Sequence, residues 1–152
     1  MMRTWVLLTL LIGNTARAAE VTVERESLPG PDRIRAETSV RAGTDRVLAA
    51  LETPCAVQSW LPGADELEVL ERDASRTRVR MYTRFPWPWR DRVAHLLFVR
   101  HEAPGRIRIT MEARPWDADA GAVVVTQSTA RWTLIPEGKT TRLRYQQRFN
   151  PG

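Results

Sequence analysis

Two histidines, one cysteine and a scatter of carboxylates are the side chains through which this 152-residue chain could do covalent or metal chemistry. His95 and His101 stand six residues apart, outside any H-x-x-x-H pattern and with no cysteine near them, so their spacing does not assemble a zinc site. Cys55 follows Pro54 without a marked base, and no G-x-S-x-G turn presents a serine, so neither thiol nor hydroxyl is set up as a nucleophile. Being alone, Cys55 forms no intramolecular disulfide and reads as a small buried hydrophobe, with a reactive or intermolecular thiol as the alternative. Asp117-Ala118-Asp119-Ala120-Gly121 lacks the distant bidentate glutamate of a calcium loop and reads as a turn. Glu66, Glu68 and Asp91 would act as acid or base only if an apolar cavity enclosed them. No catalytic residue, metal or cofactor is assigned on these grounds, and a binding protein rather than an enzyme is expected.

Other chemistry lies in the aromatic and basic residues. Trp87-Pro88-Trp89 is flanked by Arg84, Arg90 and Arg92. Indoles favour a membrane interface and arginines meet anionic headgroups, so a transient membrane-surface contact through Trp87 and Trp89 is one reading. The competing one packs Trp87 into the domain and leaves Pro88 to shape the entry to the next strand. Lys139 is the sole lysine, and the arginines alternate along strands as on a solvated sheet face. Single-stranded nucleic acid would want aromatics among them, and Tyr82 is nearly alone, so no nucleic-acid partner is expected.

The elements that would position these groups are mostly strands. Thr77, Val79, Met81, Thr83 and Phe85 alternate with Arg76, Arg78, Arg80, Tyr82 and Arg84, which puts apolar and basic sets on opposite faces. Ile107, Ile109 and Met111 repeat the pattern, as do Leu143, Tyr145 and Phe149, and Val124, Thr126, Ser128, Ala130, Trp132 and Leu134 line one side of a segment at 122–134. Further strands are expected at 21–26, 33–40, 66–72 and 92–102. One helix follows Gly43, with Thr44 or Asp45 as its cap, Val47, Leu48 and Leu51 on one face, and Pro54 as its stop. Such a helix is too short to cover the apolar side of so large a sheet.

Residues 1–18 read as a cleaved secretory signal: Arg3, the apolar run from Trp5 to Ile12, then Ala16-Arg17-Ala18. The run falls short of the ~20 residues of a membrane-spanning helix. Its removal takes Arg3 and Arg17 away, leaving 21 basic against 18 acidic residues, a net charge of +3. A periplasmic or secreted protein is expected, with residues 19–152 as one domain of undetermined oligomeric state.

Phe85-Pro86-Trp87-Pro88-Trp89-Arg90-Asp91-Arg92 resembles the P-W-P-x-x-D-R-D segment of bacterial START-domain proteins, which are StAR-related, lipid-transfer-like members of the Bet v 1-like helix-grip superfamily. Its context agrees, in family order: Ile34-Arg35-Ala36-Glu37-Thr38, Trp60-Leu61-Pro62, Val69-Leu70-Glu71, Arg131-Trp132-Thr133-Leu134-Ile135-Pro136, and Tyr145 through Asn150-Pro151-Gly152. The resemblance implies an α+β helix-grip fold, a curved antiparallel β-sheet with a short helix after the second strand. It marks Trp87, Pro88, Asp91 and Arg92 as family-motif residues. It implies an apolar cavity lined by Val79, Met81, Leu96, Phe98, Ile109, Met111, Trp132, Leu143 and Tyr145, with Tyr145, Gln127 and Gln147 able to bond a headgroup or hydroxyl.

Three positions depart from the family. Val93 replaces the acid that usually follows the motif arginine, and Leu96 and Phe98 are apolar where some sterol-binding relatives carry a buried arginine paired with an acid. A charged anchor inside the tunnel is therefore not expected. The family continues into a C-terminal lid helix, whereas the sequence stops at Gly152, so the domain is expected to be C-terminally incomplete, or closed by a partner. The implied function is binding, with transfer in prospect, of a lipid or other apolar small molecule. Its alternatives are a polyketide-cyclase-like enzyme of the same superfamily and a non-binding truncated or structural interaction protein.

Overall fold

The structure, a computed structural model, describes residues 20–61, 63–114 and 121–150. The expected signal segment at 1–18 and the turn at 117–120 lie outside them, as does the side chain of Cys55. In chain order the elements are β1 (Thr22–Glu26), β2 (Arg33–Val40), α1 (Thr44–Glu52), α2 (Pro54–Trp60), β3 (Glu66–Arg72), β4 (Arg76–Thr83), β5 (Arg92–Ala103), β6 (Arg106–Ala113), β7 (Val123–Val124), β8 (Gln127–Glu137) and β9 (Thr140–Asn150). The strands make one sheet in the order β1-β2-β9-β8-β6-β5-β4-β3, with the short β7 beside β5. Every pairing is antiparallel except β5 with β7.

Turn chemistry fixes the hairpins. Pro104 and Gly105 join β5 to β6, the proline presetting the first turn position and Gly105 taking the positive φ of 73° that the second requires. Gly138 and Lys139 close β8 onto β9, with Gly138 at φ 65°. Between β3 and β4 the Asp73 carboxylate accepts the N–H groups of Ser75 and Arg76, each at 2.8 Å. Register is marked across strands by Arg80 with Glu68 and Arg144 with Glu37.

Alternation sorts the faces as expected along β4, β6 and β8. Val79, Leu96, Ile109, Met111, Ala130, Trp132 and Leu134 form one buried cluster, joined by Val47 of α1. Phe85 and Phe149, assigned to the same inward sets, instead stand largely exposed where their strands run out.

Three local expectations are corrected. Gly43, not Thr44 or Asp45, is the N-cap of α1 and no side chain caps the helix; the Thr44 hydroxyl lies 3.3 Å from that of the fully buried Thr141, which donates to the Ala42 carbonyl. Pro54 does stop α1, yet it also opens a second helix, because proline at the first helical position lacks only an N–H that would have no partner there. The segment 122–134 is two strands: β6 ends opposite Leu96, which leaves the start of β5 without a ladder on that side. Val123 and Val125 supply it, donating to the carbonyls of Asp91 and Val93 at 2.8 and 2.9 Å. Val93, where an acid was looked for, is wholly buried by this arrangement.

Leu134 is 0% exposed, flanked in register by Ile107 and Leu143. Leu134→Ala is expected to cost about 2–5 kcal/mol in a urea titration. Phe149→Ala, at the exposed rim, is expected to stay within about 1 kcal/mol.

Candidate functional site

The nine residues expected to line a cavity come together, but not all of them around empty space. Val79, Leu96, Ile109, Met111 and Trp132 are buried in the cluster, with Met81, Phe98, Leu143 and Tyr145 packed against it. A cavity of about 250 Å³ opens between the helices and the β3–β5 end of the sheet. Of the nine, Val79, Phe98 and Ile109 reach its wall, and Leu51, Val57 and Leu67 complete the apolar part.

The remaining space is filled by aromatic rings. Trp132 lies 5.2 Å from Tyr145, 6.2 Å from Phe98 and 6.5 Å from Trp60, between ring centres. Trp60 was quoted in the sequence only for its place in the chain. Its indole N–H donates to the Ala50 carbonyl at 3.0 Å, so this ring ties α2 to α1 as it meets the sheet. Burial pushes the Tyr145 phenol up to about 12, since a phenolate would be poorly solvated there. Gln127 is exposed and takes an amide hydrogen bond from Asn150 at 3.1 Å, whereas Gln147 is half-buried opposite Ala130.

The polar end of the cavity overturns the expectation of an uncharged tunnel. Arg100 and Glu52 both line it, paired at 3.0 Å. Arg100 also donates through its guanidinium to the Ala74 carbonyl (3.0 Å) and through its backbone N–H to that of Ser75 (2.7 Å). Arg72 donates to the Glu52 carbonyl at 3.0 Å. The charge sits two residues beyond Phe98, on the same side of β5 by strand alternation. That signal was in the sequence; the acid from the end of α1 was not, because only the fold brings residues 52 and 100 together.

The carboxylates considered for acid–base work are elsewhere. Glu66 and Glu68 are exposed and paired with Arg84 and Arg80. The carboxylates on the cavity wall are Glu52 and Asp73. Glu52 holds Arg100, and the backbone N–H groups of Ser75 and Arg76 hold the Asp73 carboxyl below its ordinary value. His95 is buried and His101 is exposed further along β5.

The motif residues build a protruding loop between β4 and β5. Trp87 is 92% exposed and Trp89 66%, so Trp87 does not pack into the domain. Asp91 is the loop's anchor: its carboxylate accepts the Phe85 N–H at 2.9 Å and the Tyr82 hydroxyl at 3.0 Å. Those bonds, the Phe85 N–H foremost, hold its carboxyl below the ordinary value. The bond between Trp87 and Pro88 is cis, and the Trp89 N–H closes the turn on the Pro86 carbonyl at 3.0 Å. Arg92 lies over the Phe85 ring, 4.8 Å from its centre.

No family model and no curated protein matches this chain. Solved structures do. A STAR-related lipid transfer protein fragment from Xanthomonas axonopodis superposes with a TM-score of 0.77 at 24% identity, over 92% of this chain and 81% of that one. The lipid transfer and protein localization domain of human StarD13 gives 0.71 at 14% identity, over 90% and 73%. The Zhui aromatase/cyclase of a Streptomyces species gives 0.52 at 16%, over 79% and 68%. The likeness establishes the fold: a helix-grip fold like that of the StAR-related lipid transfer domains, with nine strands in an unclosed sheet and two short helices among the described residues.

A folded-state value depressed below the unfolded one makes Asp91 stabilising above about pH 4, with the effect lost as pH falls through the folded value. In urea titrations across pH, Asp91→Asn is expected to lower the wild-type midpoint at neutral pH. The two curves should converge in acid; a gap that persists there would mean that the carboxylate's charge is not what anchors the loop.

Proposed function

We propose that this chain, carried on the fold of the lipid transfer domains, reversibly binds a lipid or similar apolar molecule on the concave side of its sheet and exchanges it at a membrane surface. The observation that carries the reading is the apolar cavity with one charged end. Leu51, Val57, Leu67, Val79, Phe98 and Ile109 offer a hydrocarbon wall, and the Arg100–Glu52 pair offers a polar group a partner. The solved neighbours named for lipid transfer support it.

At about 250 Å³ the cavity is smaller than the roughly 300–1,000 Å³ of common ligand sites, so uptake draws the short helices α1 and α2 away from the sheet. The ligand's polar end then exchanges places with one partner of Arg100. Both wall carboxylates are committed to other groups, which favours binding over turnover even though a cyclase shares the fold. Trp87 and Trp89, exposed at the loop, supply the membrane contact, and the leader-like pattern of residues 1–18 supports a periplasmic or secreted location.

Native mass spectrometry of the protein expressed with its leader, followed by solvent extraction, is expected to show one class of bound lipid. Val79→Phe, which fills the cavity, should reduce the bound fraction with the fold intact. Arg100→Gln should weaken retention tenfold or more, as a charge-assisted hydrogen bond contributes about 1.5–3 kcal/mol. A folded protein that carries no lipid and takes none from vesicles would sink the proposal.

A further inference from the structure

The alternation of arginines along the strands predicts a solvated outer face, and over β3 and β4 such a face forms, its charges matched across the ladder. Arg78 pairs with Glu71 and Arg80 with Glu68. The middle of the sheet differs. On β6, β8 and β9 the positions alternating with the buried set turn Arg106, Arg108, Arg131, Arg142, Arg144 and Arg148 outward against Glu112 and Glu137, an excess of four positive charges. Acids take up part of it. Glu37 of β2 pairs with Arg144 at 2.7 Å and Glu137 with Arg142 at 2.6 Å, while Glu112, diagonal to Arg131, is engaged by Arg114 at 2.8 Å. Arg148 turns to the Pro31 carbonyl, and Arg106 stands at the far hairpin end. Arg108 and Arg131 remain at the centre, and neither guanidinium has a carboxylate partner among the described residues.

Register makes these two arginines neighbours. Arg108 of β6 lies opposite Thr133 of β8, and Thr110 of β6 lies opposite Arg131, so the pair occupies diagonal positions on adjacent strands. Such positions are about 7–8 Å apart, within reach of long side chains. Arg131 is exposed, whereas Arg108 is half-buried with its Nε enclosed and without an acceptor among the described residues. Two like charges held so, one of them partly desolvated, repel at a cost that an anion between them would offset. We infer that Arg108 and Arg131 form a binding site for a phosphate group, on the side of the sheet opposite the cavity. The planar guanidinium fork bonds phosphate oxygens in pairs, and two forks from adjacent strands meet the diverging oxygens of one phosphate better than the two coplanar oxygens of a carboxylate. Thr133 and Gln146, in register beside them, add a hydroxyl and an amide donor. The group is free phosphate or the phosphomonoester headgroup of a lipid, and the site stands independently of the cavity.

Isothermal titration of the full chain with inorganic phosphate, in about 0.1 M salt, is expected to show one site that Arg108→Gln and Arg131→Gln each weaken at least about tenfold. Arg78→Gln and Arg80→Gln remove the same charge from the matched end of the face, and are expected to leave the affinity within about twofold. Flotation with vesicles of phosphatidylcholine carrying phosphatidic acid, read against phosphatidylcholine alone, separates the sources. A gain from phosphatidic acid that Arg108→Gln and Arg131→Gln abolish assigns the lipid headgroup; titration with phosphate and no such gain assigns the free anion. Equal weakening by all four variants would reduce the effect to the field of a basic face and overturn the site. So would the absence of a response to both probes.

Discussion

The packing of Trp132 is the interaction on which the rest of the structure depends. An antiparallel sheet that curves presents one apolar face needing a cover, and among the described residues the nine of α1 and the seven of α2 are the helical ones that lie against it. Trp132 joins the two layers. From β8 it reaches Phe98 on β5 and Tyr145 on β9 within the sheet, and Trp60 on α2 above it. One large ring thus fills the space between three strands and α2. Where its reach ends, toward β3 and β4, the cavity begins.

The same end of the molecule is where polar groups must substitute for packing. The last turn of α1 meets the β3–β4 turn and β5 through Glu52, Arg72 and Arg100, each bonded across elements. These contacts are partly solvated and modest in energy. The helices α1 and α2 are thus held to the sheet by Val47, Leu48, Leu51 and Trp60 on one side and by partly solvated ion pairs on the other.

Much of the sheet was legible because strand alternation is local: Val79, Ile109 and Trp132 announce their faces through their immediate neighbours. The motif around Trp87 and the order of the flanking segments carried the fold class. What was not legible depended on partners distant in the chain. β7 exists because β6 stops short of the start of β5, a fact of pairing that Val123 cannot express alone. Pro54 read as an end and is also a beginning, since the residue that breaks one helix suits the first turn of the next. Arg100 was within reach of the period that placed Leu96 and Phe98, but its acid partner follows from topology, and the outward attitude of Trp87 follows from the grip of Asp91 on the chain beneath it.

Among the described residues, β1 and β3 stand at the two ends of the strand order, each with a strand on one side only. Such edges recruit other strands unless something spoils the template. On β3 the pairing register slips between Val69 and Glu71, which twists the strand's outer half away from a straight ladder. Glu66, Glu68 and Glu71 bracket that slip, so a second copy approaching this edge would meet a crooked hydrogen-bonding row edged with carboxylates. At the β3 edge, the irregularity that looks like a defect in the pairing makes a poorer template for a further strand than a straight ladder would.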